Sequence, residues 1–427
     1  MEEIKKVLYF PLASYFKFFA AIRLKRWHPK IVVVTGSSGK TTLLHLLESQ
    51  IGEKAKYSHH ANSSYGVPFD VLDLHRKSLQ TSEWFKLIIK APIKAFKTPP
   101  KEKIYVVEAD CDRPGEGKFL AEFLRPDHVL WVNVSRTHSM NFDSLVSQKK
   151  FVTVDEAIAY EYGYFLAYCS ISCIVNGDSD LIIKQLARTK AQVEKISKKA
   201  SLQKYHVNAS GTEFVIDKQT YSFPFLLPED IVYALISCKI VMSRIGERID
   251  SSFSNFSLPP GRGSLFQGIK NTTLIDSSYN ANLGSIKAML SMFSEISEKK
   301  KWVVIGDMLE LGKEEKEEHE KLAEALAKYS FERIILVGSR MEKYTYPQLM
   351  KMAHRTDHIS FYPKENKYAV ALDMQRDLKG GELVLFKGSQ SLLLEGIIEK
   401  LLNNKADVEK LPRRGKFWDE KREKKLS

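Results

Sequence analysis

The run Ile31-Val32-Val33-Val34 leads into Thr35-Gly36-Ser37-Ser38-Gly39-Lys40-Thr41-Thr42, and Thr41 to Ile51 then carries apolar residues at helical spacing. A short, wholly apolar run is the pattern of a strand buried on both faces of a parallel sheet. A glycine-rich turn joining such a strand to a helix aims backbone N–H groups and the positive helix end at one point, which forms a nest for phosphate. In that context Lys40 is placed to reach the outer phosphates of a nucleotide, and the Thr41 hydroxyl is a hard oxygen ligand for Mg²⁺. Gly36 stands three residues before Gly39, so the loop is shorter than the G-x-x-x-x-G-K-[ST] form.

The same alternation continues. Ile104–Val107, His128–Val132 and Cys173–Val175 read as further buried strands, and Thr273–Ile275, Trp302–Ile305, Ile334–Val337 and Leu383–Phe386 repeat the pattern after a Pro-Gly break at Leu258 to Gly263. Several of these runs end in glycine plus a polar residue, the place where open α/β sheets bind ligands. The expectation is an α/β chain: a P-loop-type central domain with a mostly parallel sheet at 30–258, and a Rossmann-like α/β domain at 259–404. An aromatic and basic helix at 1–29 precedes them, and a charged, disordered tail at 405–427 follows. A chain of 427 residues favours two or three domains, and 44% hydrophobic with 27% charged residues is ordinary for a globular protein. Cys111, Cys169, Cys173 and Cys238 show no zinc spacing and read as reduced thiols of a cytosolic protein.

Net charge is +13, which suits anionic partners or merely solvated helix faces. No zinc finger or RNA-binding aromatic signature is visible, so nucleic acid is not expected. Residues 7–27 combine Tyr9, Phe10, Tyr15, Phe16, Phe18 and Phe19 with Arg23, Lys25 and Arg26. Two readings stand: a helix packed on the first domain, or one lying at the inner face of an anionic membrane.

From Lys30 to Leu402 the motifs resemble, in order, those of the Mur ligases. They are the short phosphate loop, Asn62-Ser63-Ser64-Tyr65-Gly66-Val67-Pro68, Val107-Glu108-Ala109-Asp110 with Pro114-Gly115-Glu116, and Asn133-Val134 through His138. They continue with Pro260-Gly261-Arg262, Asp276 with Tyr279-Asn280-Ala281-Asn282, Gly306-Asp307-Met308-Leu309-Glu310-Leu311-Gly312 followed by His319, and Lys387-Gly388-Ser389. The second half is most similar to the MurF branch, which adds D-alanyl-D-alanine to a UDP-muramoyl tripeptide.

The resemblance implies an ATP- and Mg²⁺-dependent ligase that activates a carboxylate as an acyl phosphate for attack by an amine. Two anions meet in the first step, so cations must offset their repulsion. Gly36, Ser37, Ser38, Gly39, Lys40, Thr41 and Thr42 would hold ATP, joined by Asp276 and Asn280. Thr41, Glu108 and His138 would serve Mg²⁺, and Lys40, Glu108, His138 and Arg262 the chemistry. Asn62, Ser63, Asp307, Glu310, Lys387 and Ser389 would face the small-molecule or peptide substrates. Blander roles stand beside these: a surface ion pair for Glu108, a helix cap for Asp307, a brace for Arg262, a turn for Asn62.

Two departures follow from the comparison. That branch begins with a UDP-sugar domain, which is not expected ahead of the loop here, so the acceptor is left open between a UDP-linked one and a lipid-linked or shortened one. Many members also carry a carbamylated lysine on the helix after the histidine, where this sequence has Tyr162. Glu161, Lys149 or Lys150 would then substitute, or the second metal site would be weak. The other readings are a MurT-like amidating subunit and a non-catalytic ATP-binding scaffold.

Overall fold

The computed structural model describes residues 9–59, 61–76, 81–297, 300–352, 355–415 and 418. They form two compact units. The first comprises Met1–Ser135, Asn141–Ser201 and Val232–Phe256; the second comprises Arg136–Met140, Leu202–Ile231 and Ser257–Ser427.

In the first unit, helix α1 (Tyr9–Trp27) is followed by β1 (Lys30–Thr35), α2 (Lys40–Ile51), β2 (Ala55–Tyr57) and α3 (Thr81–Phe96). Then come β3 (Ile104–Ala109), α4 (Glu116–Leu124), β4 (His128–Trp131), α5 (Val154–Ala167), β5 (Ser172–Asn176) and β6 (Gln192–Ile196). The strands make one parallel sheet in the order β2-β3-β1-β4-β5-β6. β1 and β4 are buried almost throughout, as their continuous apolar runs require. Central β1 pairs Val34 with Glu108 and Thr35 with Trp131, so the carboxyl ends of three strands converge on the loop that follows Thr35.

Helix α1 belongs to this core. Ala13, Phe16, Ala20, Leu24 and Trp27, spaced along one helical face, are buried. Phe16 meets Phe69 edge-on at 4.7 Å, and the indole of Trp27 donates to the Glu102 carbonyl at 2.7 Å.

The second unit holds a three-stranded antiparallel sheet, β7 (Leu202–Asn208), β8 (Gly211–Ile216) and β9 (Gln219–Phe223). Its larger sheet has β10 (Ser264–Gln267), β11 (Thr273–Asp276), β12 (Lys301–Gly306), β13 (Arg333–Val337), β14 (Ile359–Tyr362) and β15 (Leu383–Lys387). The order is β10-β11-β15-β12-β13-β14, parallel except for β10. Helices α6 (Leu283–Glu295) and α7 (Glu315–Leu326) lie on it, and α6 opens with a capping box between Asn282 and Ser285.

The charged C-terminal stretch corrects the reading from charge alone. Leu411 is buried, and Arg413 reaches Glu395 at 2.8 Å and the carbonyls of Ser278 and Tyr279 at 3.0 and 3.1 Å. A buried guanidinium with a carboxylate and two carbonyls is folded structure rather than solvated tail. Apart from Trp418, the tail beyond Gly415 lies outside the described residues.

Candidate active site

The phosphate loop needs its glycines. Gly36 has φ 132°, and a Cβ there would stand 2.8 Å from the Asn133 carbonyl oxygen; Gly39, φ 79°, is the left-handed residue from which α2 starts. Asn133 holds the turn from β4: its side chain accepts from Ser38 N at 2.9 Å and donates to Ser38 Oγ at 2.8 Å. Ser37 is tied to Ser135 by its hydroxyl at 2.7 Å. The first intrahelical bond of α2 runs from Leu43 N to Gly39 O, so the amides of Lys40, Thr41 and Thr42 have no intrahelical acceptor. They provide the donors a phosphate needs.

Lys40 is 6% exposed, and its ammonium donates to Gly36 O and to Asp110 Oδ2, both at 2.6 Å. Burial opposes the charge, but Asp110 and Glu108 outweigh it and raise the lysine above its ordinary pKa. The Thr41 hydroxyl donates to Glu108 Oε2 at 2.9 Å. This couple of hard oxygens beside the loop fits Mg²⁺ chemistry.

Behind Asp110 stands Tyr162, fully buried on α5, whose hydroxyl donates to Asp110 Oδ1 at 2.6 Å. Burial and then the Asp110 charge push that phenol well above its ordinary pKa, so it stays protonated. Glu161 turns elsewhere: its carboxylate accepts from Gly115 N at 2.9 Å and Gly117 N at 3.0 Å, anchoring the start of α4. Lys149 and Lys150 are exposed. Asn62 gives its carbonyl to Asp110 N at 2.8 Å, and Ser63 Oγ accepts from Gly66 N at 3.1 Å, so both shape the turn beside Asp110.

In the second unit, Asp276 at the end of β11 is fully buried; its Oδ1 accepts from Ser278 N at 2.9 Å. Asp276 Oδ2 and Arg262 Nε have no hydrogen-bond partner among the described residues, and the Arg262 guanidinium lies 4.2 Å over the Tyr279 ring. Desolvation pushes the Asp276 carboxyl up to about 6. Lys387 donates to Asn280 O at 3.0 Å; burial and then Arg262 push it down to about 7. Unpaired buried polar atoms at the carboxyl end of a strand are compatible with a ligand site there.

A pocket that shares Asn280 with this group is lined by Arg136, His138, Asn280, Glu310, Ser389 and Gln390, among others. His138 Nδ1 pairs with Glu310, which draws that carboxyl below its ordinary range. Met140 N donates to Glu310 O at 3.1 Å, and Arg136 holds Glu318 at 3.0 Å and Glu314 at 3.1 Å. Ser389 Oγ accepts from Leu309 N at 3.0 Å. Asp307 caps the turn at Met341–Thr345, accepting from Arg340 N at 3.1 Å and Met341 N at 2.9 Å. His319 Nε2 accepts from Met308 N at 3.2 Å.

Two family models match this chain: the Mur ligase middle domain over residues 34–230, and the Mur ligase glutamate ligase domain over residues 261–390. The chain belongs to the Mur ligase family. It is similar to the UDP-N-acetylmuramoyl-tripeptide--D-alanyl-D-alanine ligases of Escherichia coli, at 27% identity over 88% of this chain and 77% of that protein, and of Bacillus subtilis, at 22% over 88% and 76%. Its fold matches that of MurF ligase from Thermotoga maritima in complex with ADP, with a TM-score of 0.72, 22% identity and coverage of 93% of this chain and 84% of that one.

Within this Mur ligase the expected residues form three groups. The loop residues gather with Glu108. Arg262, Asp276 and Lys387 gather at the end of the second unit's sheet, with Asn280 beside them. His138, Glu310 and Ser389 line the pocket. Lys387 therefore sits with Asp276 and Arg262, whereas the sequence reading had placed it with Asp307, Glu310 and Ser389. The sequence assigns no site role to Asp110, Asn133 or Arg136, although the first two stand within its motifs. Asp110 carried a signal, since it lies two residues past Glu108 at the same strand end.

Proposed function

We propose that this Mur ligase is an ATP-dependent enzyme forming an amide from a carboxylate and an amine, adding D-alanyl-D-alanine or a similar amino acid or dipeptide to a muramoyl-peptide acceptor in peptidoglycan synthesis. The observation that carries the reading is the buried Lys40 in a glycine loop, with the Thr41–Glu108 oxygens beside it. A carboxylate oxygen attacks the γ-phosphorus and ADP leaves; the amine nitrogen then attacks the acyl carbon, phosphate leaves, and one proton is released. The loop amides and Lys40 bind the phosphates and offset their repulsion toward the incoming carboxylate. Thr41 and Glu108 would hold Mg²⁺, which supplies charge neutralisation on the phosphate oxygens. Arg262, Asp276 and Asn280 are assigned to the nucleotide. His138, Glu310 and Ser389 are assigned to the organic substrates and the charge that develops on them, and Lys387 joins the nucleotide group. On this reading the protein works in the cytoplasm.

Calorimetric titration with ADP and magnesium tests the loop. The intact chain should bind, and Lys40→Ala should weaken binding by two orders of magnitude or more, about 3 kcal/mol. Absence of binding by the intact chain overturns the proposal.

A further inference from the structure

Helix α3 carries apolar side chains on two faces. Leu87, Ala91 and Ala95 are buried in the first unit's core. On another side Phe85, Ile89, Ile93 and Phe96 recur at helical spacing and are 66%, 51%, 60% and 65% exposed. At 100° per residue, Lys86 and Lys90 form one flank of that stripe, and both are exposed, as is Lys97 just after the helix. Helix α1 runs alongside in the same direction, since the Tyr15 hydroxyl donates to Ile88 O at 2.9 Å, Arg23 to Lys94 O at 3.2 Å and Arg26 to Ala95 O at 2.9 Å. In the segment 7–27, for which packing on the first domain and contact with a membrane both stood open, Ala13, Phe16, Ala20 and Trp27 are buried, and among its described residues Phe18, 61% exposed, is the large aromatic left open. Five of the twelve large hydrophobic side chains exposed among the described residues therefore lie on these two neighbouring helices. Such clustering marks a contact surface.

We infer that this face docks on an anionic phospholipid surface, with α3 in the headgroup plane, its stripe at the acyl boundary and its lysines on the phosphates. Between residues 81 and 103 the sequence has six lysines against two glutamates, which selects an anionic occupant. A second copy packed antiparallel on α3 about a two-fold axis would set this lysine flank against itself. Among the described residues no helix is long and apolar enough to cross a membrane, so the contact is peripheral. This inference stands apart from the ligase reading.

Vesicle flotation of the full chain tests it, using phosphatidylcholine alone and phosphatidylcholine with phosphatidylglycerol. The chain should float with the anionic vesicles and lose binding as salt rises. The double variant Ile89→Ser with Ile93→Ser should bind about ten-fold less or weaker still, and Lys86→Glu with Lys90→Glu should fall to the level seen with neutral vesicles. ADP binding should be unchanged in both variants, showing that the fold and the nucleotide site are intact. Equal flotation with neutral and anionic vesicles, or wild-type binding by both variants, overturns the inference. So does a wild-type dimer that the isoleucine variant converts to monomer without vesicle binding.

Discussion

Tyr162 and Asp110, 52 positions apart, share a hydrogen bond of 2.6 Å, and the other oxygen of that carboxylate holds the phosphate-loop lysine at 2.6 Å. The anion closest to Lys40 is thus braced from behind by a protonated phenol. Each member depends on the next. Tyr162 orients Asp110, and Asp110 keeps an otherwise buried, isolated ammonium charged.

Replacing Asp110 by asparagine keeps the shape but removes the charge. The ligand-free protein should lose roughly 3 kcal/mol, because Lys40 is left without its anion. A bound phosphate then supplies the missing charge, so the ADP-induced rise in Tm should be larger in Asp110→Asn than in the intact chain. Tyr162→Phe should act in the same direction with a cost of about 1–2 kcal/mol. Thermal melts with and without ADP read both effects; an unchanged ADP shift in Asp110→Asn would contradict the coupling.

Gly36→Ala should damage the loop directly. Its φ of 132° strains any side chain, and the added carbon would meet the Asn133 carbonyl at 2.8 Å. A stability loss of about 1–3 kcal/mol is expected, together with weaker ADP binding. Melting and ADP titration of the variant check this, and wild-type values for both would contradict it.

How legible was this in the sequence? Strands and loops whose signal is local were readable: the apolar run before Gly36 and the strand ends at Glu108, Asp276 and Asp307 depend on neighbours in the chain. What escaped depends on tertiary packing. Nothing in the local pattern around Tyr162 says which way its helix turns, and Glu161, one residue earlier, faces the amides of Gly115 and Gly117 instead. Arg136 and His138 follow β4 in sequence, yet they are stitched to the loop at Glu310 and to the start of α7. Lys387 joins Asp276 because β15 pairs directly with β11, a neighbour relation that chain order does not reveal. Charge alone puts Arg413 in solvent, because its partner Glu395 is buried at the start of a helix 18 positions earlier in the chain.

Asp276 should make stability depend on pH. Its folded pKa is raised to about 6 from an ordinary value of 3.8. A raised value favours the protonated form in the fold, so this contribution is full below about pH 4 and is lost as pH climbs through about 6. The loss amounts to roughly 3 kcal/mol. Denaturant unfolding at pH 4.5 and pH 7.5 should show Asp276→Asn gaining on the intact chain as pH rises; a gap that stays constant would contradict the assignment.

Arg413→Met should cost roughly 3–5 kcal/mol, since it strands the fully buried Glu395 carboxylate and releases the carbonyls of Ser278 and Tyr279. Chemical denaturation measures this. A change within about 0.5 kcal/mol, as for an ordinary surface position, would return this segment to the solvated tail.

The account rests on catalysis at the Lys40 loop, and the most direct measurement is phosphate release from ATP with a muramoyl tripeptide acceptor and D-alanyl-D-alanine supplied singly and together. It predicts release that rises when both are present, with amide product formed in equal amount, and that is abolished by Lys40→Ala. Release indifferent to the two substrates, or retained by Lys40→Ala, would contradict it.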